Sequence, residues 1–472
     1  VKNYQAIYVD GRWRTPRQKT VLEVENPATQ EVMGTVPLSS AGDVAEAVRA
    51  ARRGFDTWSR TPVTERLGYL SRLRDALTAR HEELAHTIVA EVGAPISFAR
   101  TVQAGAPLAL VTSYLDLLPE FDFTERLGGS EVIKEPLGVV GAITPWNYPL
   151  FQAVAKVVPA LAAGCTVVLK PAEAAPLSAY LLAEALVDAG LPRGVFNLVP
   201  GSGRGAGEAL VTHPGVDVIS FTGSTRTGRR VAELASGTVK RVVSELGGKS
   251  PSIVLPDADL PHAVAATVAS AFANSGQTCT AWTRLLVHTS QYDEAVDLAA
   301  KTADNCVVGD PMSEQTTMGP LISHEQRQRV RSYIAEGMSD GARLVTGGPE
   351  APTGLDTGYY VQPTVFADVR PDMSIARQEI FGPVLCILPY TDEEDAVRIA
   401  NDSIYGLSGA VWSAAPERAA AIARRIHAGQ IQINGTQIDL LAPFGGCKQS
   451  GNGRELGRYG LEEFLQTKAV HA

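Results

Sequence analysis

Two periodicities alternate along the chain. Residues 4–36 carry short apolar and polar alternations broken at Asp10-Gly11 and Asn26-Pro27, the pattern of brief strands joined by turns. From Ser39 the period lengthens, and Val44, Ala47, Val48, Ala51 and Phe55 fall on one helical face with charges opposite. Glu65 to Ala90 and roughly Ser97 to Leu117 extend this helical block, and an extended segment, Phe121 to Glu135, ends it. From Gly138 wholly apolar runs appear: G-V-V-G-A-I, T-V-V-L, V-F-N-L-V and V-D-V-I-S-F, with a helix expected over Leu177 to Ala189. Strands apolar on both faces that alternate with helices predict a parallel α/β sheet. A second alternating run starts near Ser252 and passes through R-L-L-V-H, a helix over Ser323 to Met338, strands near Tyr360 and Val384, and helices near Asp395 and Glu417. It predicts a second α/β domain.

Composition narrows the class. At 472 residues two or three domains are expected, and a formal charge of -9 with both signs mixed argues against a nucleic-acid surface. The longest apolar run, Val157 to Leu169, has 13 residues and contains Pro159 and Gly164. That is short of the ~20 needed to span a bilayer. The first residues read as a polar strand rather than a signal peptide, so no membrane partner is expected. Five scattered cysteines, with no C-x-x-C spacing and no histidine cluster, predict a reducing, cytoplasmic setting and no metal site.

The chemistry concentrates in a few stretches. In N-S-G-Q-T-C-T-A-W-T-R, a helical pattern over His262 to Ala273 stops at Ser275-Gly276 and leaves Cys279 on a loop before the next strand. A thiol there is accessible to substrate, although many free cysteines are simply small buried hydrophobes. In E-L-G-G-K-S-P, Glu245 ends a valine-rich strand beside two glycines. A carboxylate so placed can activate water against a thioester, or it can be a solvated strand end. P-W-N-Y-P holds Asn147 between prolines, where its amide can donate to an oxyanion or serve a turn. In K-P-A-E, Lys170 and Glu173 follow a strand and can hold a ribose or form a surface ion pair. F-T-G-S-T-R-T-G joins a strand to a helix from about Arg226 to Leu234, and its first-turn N–H groups suit a pyrophosphate. There Gly223 allows close backbone approach. G-S-G-R-G-A-G at 201–207 lacks the G-x-G-x-x-G spacing and reads equally as a tight turn. E-I-F-G-P sets Glu379 and Phe381 before a strand.

Together with P-F-G-G-C-K-Q-S-G, these stretches closely resemble, in order and spacing from about Tyr4 to Lys468, the NAD(P)-dependent aldehyde dehydrogenase superfamily. The resemblance implies Cys279 as nucleophile, Glu245 as general base and Asn147 as oxyanion-hole donor. It implies Trp146, Lys170, Glu173, Gly223, Ser224, Glu379 and Phe381 as cofactor contacts. The cofactor would be NAD, with weaker use of NADP, and the substrate a small-molecule aldehyde oxidised through a hemithioacetal and thioester that water then hydrolyses. An activated thiolate at Cys279 is expected to alkylate faster than the other four cysteines. The implied fold is two Rossmann-like parallel-sheet domains plus a small β oligomerisation element. The expected bounds are 1–118 and 138–246 for cofactor binding, 247–450 for catalysis, and 119–137 with 451–472 for assembly into a homodimer or homotetramer. A CoA-acylating semialdehyde dehydrogenase and a redox-silent cysteine hydrolase are the competing readings. Tyr148, Gln152, Trp282 and the 436–444 loop are the expected aldehyde-facing residues, and their mixed character names no substrate.

Overall fold

The computed structural model describes residues 2–471, so Val1 and Ala472, which the expected outer bounds include, lie outside it. Two large, mostly parallel sheets organise the chain. The first has eight strands in the order Gly451–Asn452, Arg241–Glu245, Val218–Thr222, Val139–Ile143, Thr166–Lys170, Phe196–Leu198, Ile7–Val9, Arg12–Arg14. Its neighbours are parallel from Arg241–Glu245 to Phe196–Leu198 and antiparallel at both edges. Asp10 and Gly11, both at positive φ (55° and 76°), make the hairpin turn read at that dipeptide. The second sheet orders seven strands as Arg343–Thr346, Thr364–Ala367, Val384–Tyr390, Arg284–His288, Pro251–Val254, Ala410–Trp412, Gln432–Ile433.

The apolar runs become strands because both faces of each sheet are covered. Val140, Ala142, Val167 and Leu169 pack into one buried cluster, whereas Val139, Ile143 and Val168 pack into the cluster on the other face. The second sheet divides the same way, with Ile253, Leu286 and Leu388 on one side and Val254, Leu285, Val287 and Ile387 on the other. This is the period of two expected of a strand buried on both faces.

Several elements differ from the sequence reading. The segment between Ile143 and Thr166 holds a fifteen-residue helix, Pro149–Ala163, that the apolar run and Pro159 concealed. Proline at the first helical position suits its N-terminus, and burial of nearly every residue explains the absence of an amphipathic stripe. The Glu65–Ala90 pattern divides at Arg80 into Val63–Ala79 and His81–Val92. The strand expected near Tyr360 starts later, at Thr364. The 451–472 segment also divides: Gly451–Asn452 pairs with Ser244 and Glu245 in the large sheet. Leu465–His471 pairs with Ser130–Pro136, which in turn pairs with Thr124–Leu127. Among the described residues no helix is long and apolar enough to cross a membrane.

Register positions the chemistry. Ile143 lies beside Lys170 and Phe221, and Thr222 lies beside Glu245, so the carboxyl ends of four parallel strands form one rim. The loops that leave this rim carry Trp146 and Asn147, Glu173, Gly223 and Ser224, and the Gly247-Gly248 turn. Ligands of open α/β sheets sit at such rims.

Candidate active site

Cys279 reaches the rim from the second sheet. The Leu260–Phe272 helix ends, and Asn274, Ser275 and Gly276 follow with φ of 52°, 58° and 71°. Three consecutive left-handed residues turn the chain sharply before strand Arg284–His288 begins. Gly276 is needed there, because a Cβ would come within 2.1 Å of the Gly382 carbonyl carbon. The thiol therefore sits on a strained, rigid loop at the junction of the two sheets.

A cavity of about 470 Å³ opens beside it, lined by Trp146, Asn147, Gly223, Ser224, Glu379 and Phe381 among others. The Trp146 and Phe381 rings meet edge to face at 5.4 Å. Phe381 holds a positive φ of 61°, and its carbonyl accepts from Gln326 Nε2 at 2.8 Å. A bulky residue in that conformation is strained and persists only where its surroundings fix it. Glu379 accepts from the Gly248 N–H at 2.9 Å, and a Cβ at Gly247 would lie 2.2 Å from its Oε2. Burial pushes this carboxyl up to about 7, against the pull of the Gly248 N–H, Arg329 and Lys249. Ser224 caps the helix Thr225–Ala235, its hydroxyl accepting from the Thr227 N–H. Gly223 lines the cavity, and a Cβ there would also meet the Phe221 ring at 2.6 Å.

A second cavity of about 490 Å³ continues past Arg226, which lines both, and includes Lys170, Gly203 and Glu208. Lys170 Nζ donates to the carbonyls of Pro171 and Gly201 at 2.6 and 3.0 Å, and burial lowers it to about 8. Glu173 is exposed and accepts at 2.8 Å from the N–H of Gly203, the first residue of the π-helical turn Gly203–Gly207 that Ser202 caps. Lys170 and Glu173 thus stand at one end of an elongated groove, and Glu379, Phe381 and Cys279 at the other. Two cavities that share Arg226, with a capped helix N-terminus beside them, are an arrangement suited to a dinucleotide, whose pyrophosphate a helix N-terminus favours.

Asn147 is 4 % exposed, and its Nδ2 donates to the Gln277 carbonyl at 2.9 Å. An amide nitrogen carries two hydrogens, so the second N–H remains for another acceptor. Glu245 does not line the first cavity. Its carboxylate packs against Gly445, where a Cβ would lie 2.6 Å from Oε1, and among the described residues neither oxygen has a hydrogen-bond partner of good geometry, although the Gly446 N–H is close enough to favour the anion. Burial and the nearby Glu455 carboxylate hold Glu245 well above the usual carboxylate range, with Lys156 and Arg454 pulling the other way. A carboxyl in this state gains its negative charge only as the pH rises, and from then on it can take a proton.

Sequence reasoning missed that neighbourhood. Lys156 lies on the Pro149–Ala163 helix, fully buried, pairs with Glu455 and donates to Thr222 Oγ1 at 2.6 Å. The signal was a lysine amid apolar residues, read only as the border of the apolar run. An unpaired ammonium there would carry a heavy desolvation cost, so a buried acid was to be expected near it.

The thiol is not a standing thiolate. Burial pushes Cys279 up to about 12, reinforced by the carboxylates of Glu379, Glu245 and Glu455, although its own backbone N–H favours the anion. Burial first, and then three acids brought in from separate parts of the chain, disfavour the thiolate in the cofactor-free protein. In the cofactor-free protein, alkylation of Cys279 by iodoacetamide should therefore accelerate about tenfold per pH unit through about pH 9. A rate that levels off near neutrality, followed on the Cys279 peptide by mass spectrometry, would contradict this electrostatic picture.

Comparison with known proteins gives a consistent result. The aldehyde dehydrogenase family model matches residues 13–470. A 3-succinoylsemialdehyde-pyridine dehydrogenase from a Pseudomonas species is 51 % identical over 100 % of this chain and 99 % of its own. The crystal structure of a mutant aldehyde dehydrogenase C from Pseudomonas syringae, complexed with NAD+ and octanal, superposes with a TM-score of 0.98 at 49 % identity, covering 99 % of this chain and 96 % of that one. An aldehyde dehydrogenase from Mycobacterium tuberculosis complexed with NAD+ gives 0.98 at 44 % identity, over 100 % and 98 % of the two chains.

Proposed function

The chain belongs to the aldehyde dehydrogenase family, its reaction is the NAD-dependent oxidation of an aldehyde to a carboxylic acid, and we propose that Cys279, Asn147 and Glu245 carry it. The observation that supports this assignment is that Cys279 and Asn147 line one cavity, while Glu245, at the end of a strand on the same rim and outside that cavity, is near enough for its charge to act on the thiol. The Cys279 sulfur attacks the aldehyde carbon once its proton has passed to water in the cavity, and the C–S bond forms as the carbonyl π pair moves onto oxygen. Asn147 lines the cavity, and its uncommitted N–H donates to the oxygen that becomes negative, so the charge is met by a fixed dipole. NAD, when bound in the groove, accepts the hydride released as the hemithioacetal collapses to a thioester. Glu245 then takes a proton from water, and the resulting hydroxide equivalent releases the acid and restores the thiol.

The groove's residues fit a dinucleotide without further assumptions. Glu379 and the Trp146–Phe381 pair would hold the nicotinamide riboside end, and Ser224, Lys170 and Glu173 the pyrophosphate and adenosine ribose. Glu173 disfavours a 2′-phosphate by charge, which supports NAD over NADP. A water-activating carboxylate supports hydrolysis over transfer to CoA. No histidine lines the Cys279 cavity among the described residues, which speaks against a cysteine hydrolase. All five cysteines are free, in keeping with work in the cytoplasm. The sheet of Thr124–Leu127, Ser130–Pro136 and Leu465–His471 is the proposed assembly surface for a homodimer or homotetramer.

NADH formation with aliphatic, aromatic and semialdehyde substrates, with NAD and NADP compared, tests the reading. A protein that makes no NADH from any of them, or prefers NADP, would refute it. Asn147→Ala should lower kcat by about 10²–10³, the usual loss for one oxyanion donor, with a small effect on cofactor affinity. An unchanged kcat would leave Asn147 a structural amide.

A further inference from the structure

Two amide side chains converge on the backbone carbonyl of Asn147. Gln103 Nε2 donates to it at 2.8 Å and Asn274 Nδ2 at 2.9 Å, so both lone pairs of that oxygen are engaged. Gln103 Nε2 also approaches Asn274 Oδ1 at 3.5 Å, which orients its amide. Gln103 is 0 %, Asn274 3 % and Gln277 1 % exposed, so the whole network is buried. Its members come from separate parts of the chain. Gln103 closes a five-residue π-helical turn, Ala99–Gln103, just before the helix Gly105–Leu117. π turns recur where a helix redirects a side chain toward a site. Asn274 is the first of the left-handed residues that lead to Cys279, and Gln277, two residues before Cys279, accepts from the Asn147 side chain.

The double capture is more than satisfaction of a buried carbonyl requires. Asn274 alone would pair that oxygen, so Gln103 adds little to stability. What a second donor does is fix the rotation of the Asn147 peptide, and with it the direction of the side chain that leaves the same Cα. We infer that Gln103 is a positioning residue for the oxyanion donor, holding the Asn147 peptide against the Cys279 loop so that the free amide N–H keeps its aim. The inference rests on the oxyanion role proposed for Asn147. It assigns the π turn its purpose, which is to deliver an amide from the helical layer to the back of the catalytic loop.

Gln103→Met keeps the length of the side chain and removes its donors. NAD binding, thermal midpoint and aldehyde KM should stay near those of the unchanged protein, while the rate of the first-turnover NADH burst falls about tenfold or more, as expected of a misaimed catalytic dipole. Added to Asn147→Ala, the same change should cost nothing further, because the group it positions is gone. Gln103→Glu is the second variant, useful also if the methionine variant fails to fold. Its carboxyl donates only while protonated, so its burst rate relative to the unchanged protein should fall as pH rises. A Gln103→Met burst rate within about twofold of the unchanged protein, a loss that multiplies with that of Asn147→Ala, or a pH-independent ratio for Gln103→Glu would overturn the inference. Full burst rate in Asn147→Ala alone would instead remove the oxyanion reading, and the positioning role with it.

Discussion

Cys279→Ala should abolish aldehyde oxidation and leave NAD binding in place. The sulfur forms the only covalent bond to substrate in the proposed reaction, so no other side chain can carry the acyl group. The fold should tolerate the change. The side chain loses one atom at a half-buried position, and the loop that carries it is shaped by Asn274, Ser275 and Gly276 rather than by the thiol. Removing the sulfur also removes a group that burial and three carboxylates keep protonated, so no charge is left uncompensated. Residual activity should lie below about one part in 10⁴, the scale of losses when a nucleophile is deleted. NADH absorbance measures the first claim and a fluorescence titration with NAD the second. Substantial oxidation would move the nucleophile elsewhere, and lost NAD binding would mean the thiol helps shape the groove.

Glu245→Gln should separate the two halves of the reaction. The amide keeps the shape of the carboxyl against Gly445 and relieves repulsion from Glu455, so the packing should hold. Thioester formation needs Cys279 and Asn147, whereas its hydrolysis needs a proton acceptor for water. The variant should therefore release a burst of NADH close to one per active site and then turn over more slowly by about 10²–10⁴, the usual value of a general base. In the unchanged protein the same raised carboxyl predicts that hydrolysis speeds up as pH rises, because Glu245 must first lose its proton. If burst and steady rate fell together, Glu245 would act earlier, in taking the proton from Cys279. Lys156 is a poorer place to test this neighbourhood, since cutting its buried pair with Glu455 would cost about 3–5 kcal/mol of stability.

What was legible in the sequence is what local pattern determines. Runs such as T-V-V-L became strands buried on both faces, and Asp10-Gly11 became a hairpin turn, because period and turn chemistry act over a few residues. The loops at the strand ends were legible for the same reason, so Trp146, Ser224 and Cys279 were found before they were seen to share a cavity. The Pro149–Ala163 helix was hidden because full burial leaves no polar face to set its period. Long-range pairs were hidden by distance in sequence: Lys156 and Glu455 are 299 positions apart, and Gln103 and Asn274 171. The surroundings of the Cys279 thiol were hidden on the same account, since burial and the approach of Glu379, Glu245 and Glu455 arise only in the fold.

The central claim is that an acyl group passes through Cys279 and leaves with the help of Glu245. Intact-mass and peptide analysis of Glu245→Gln, quenched in acid during the slow phase with aldehyde and NAD present, tests it most directly. A stoichiometric adduct with the mass of the acyl group is expected on the peptide containing Cys279, absent without NAD and absent from the Cys279→Ala, Glu245→Gln double variant. An unmodified Cys279 throughout the slow phase, or an acyl group on another residue, would contradict it.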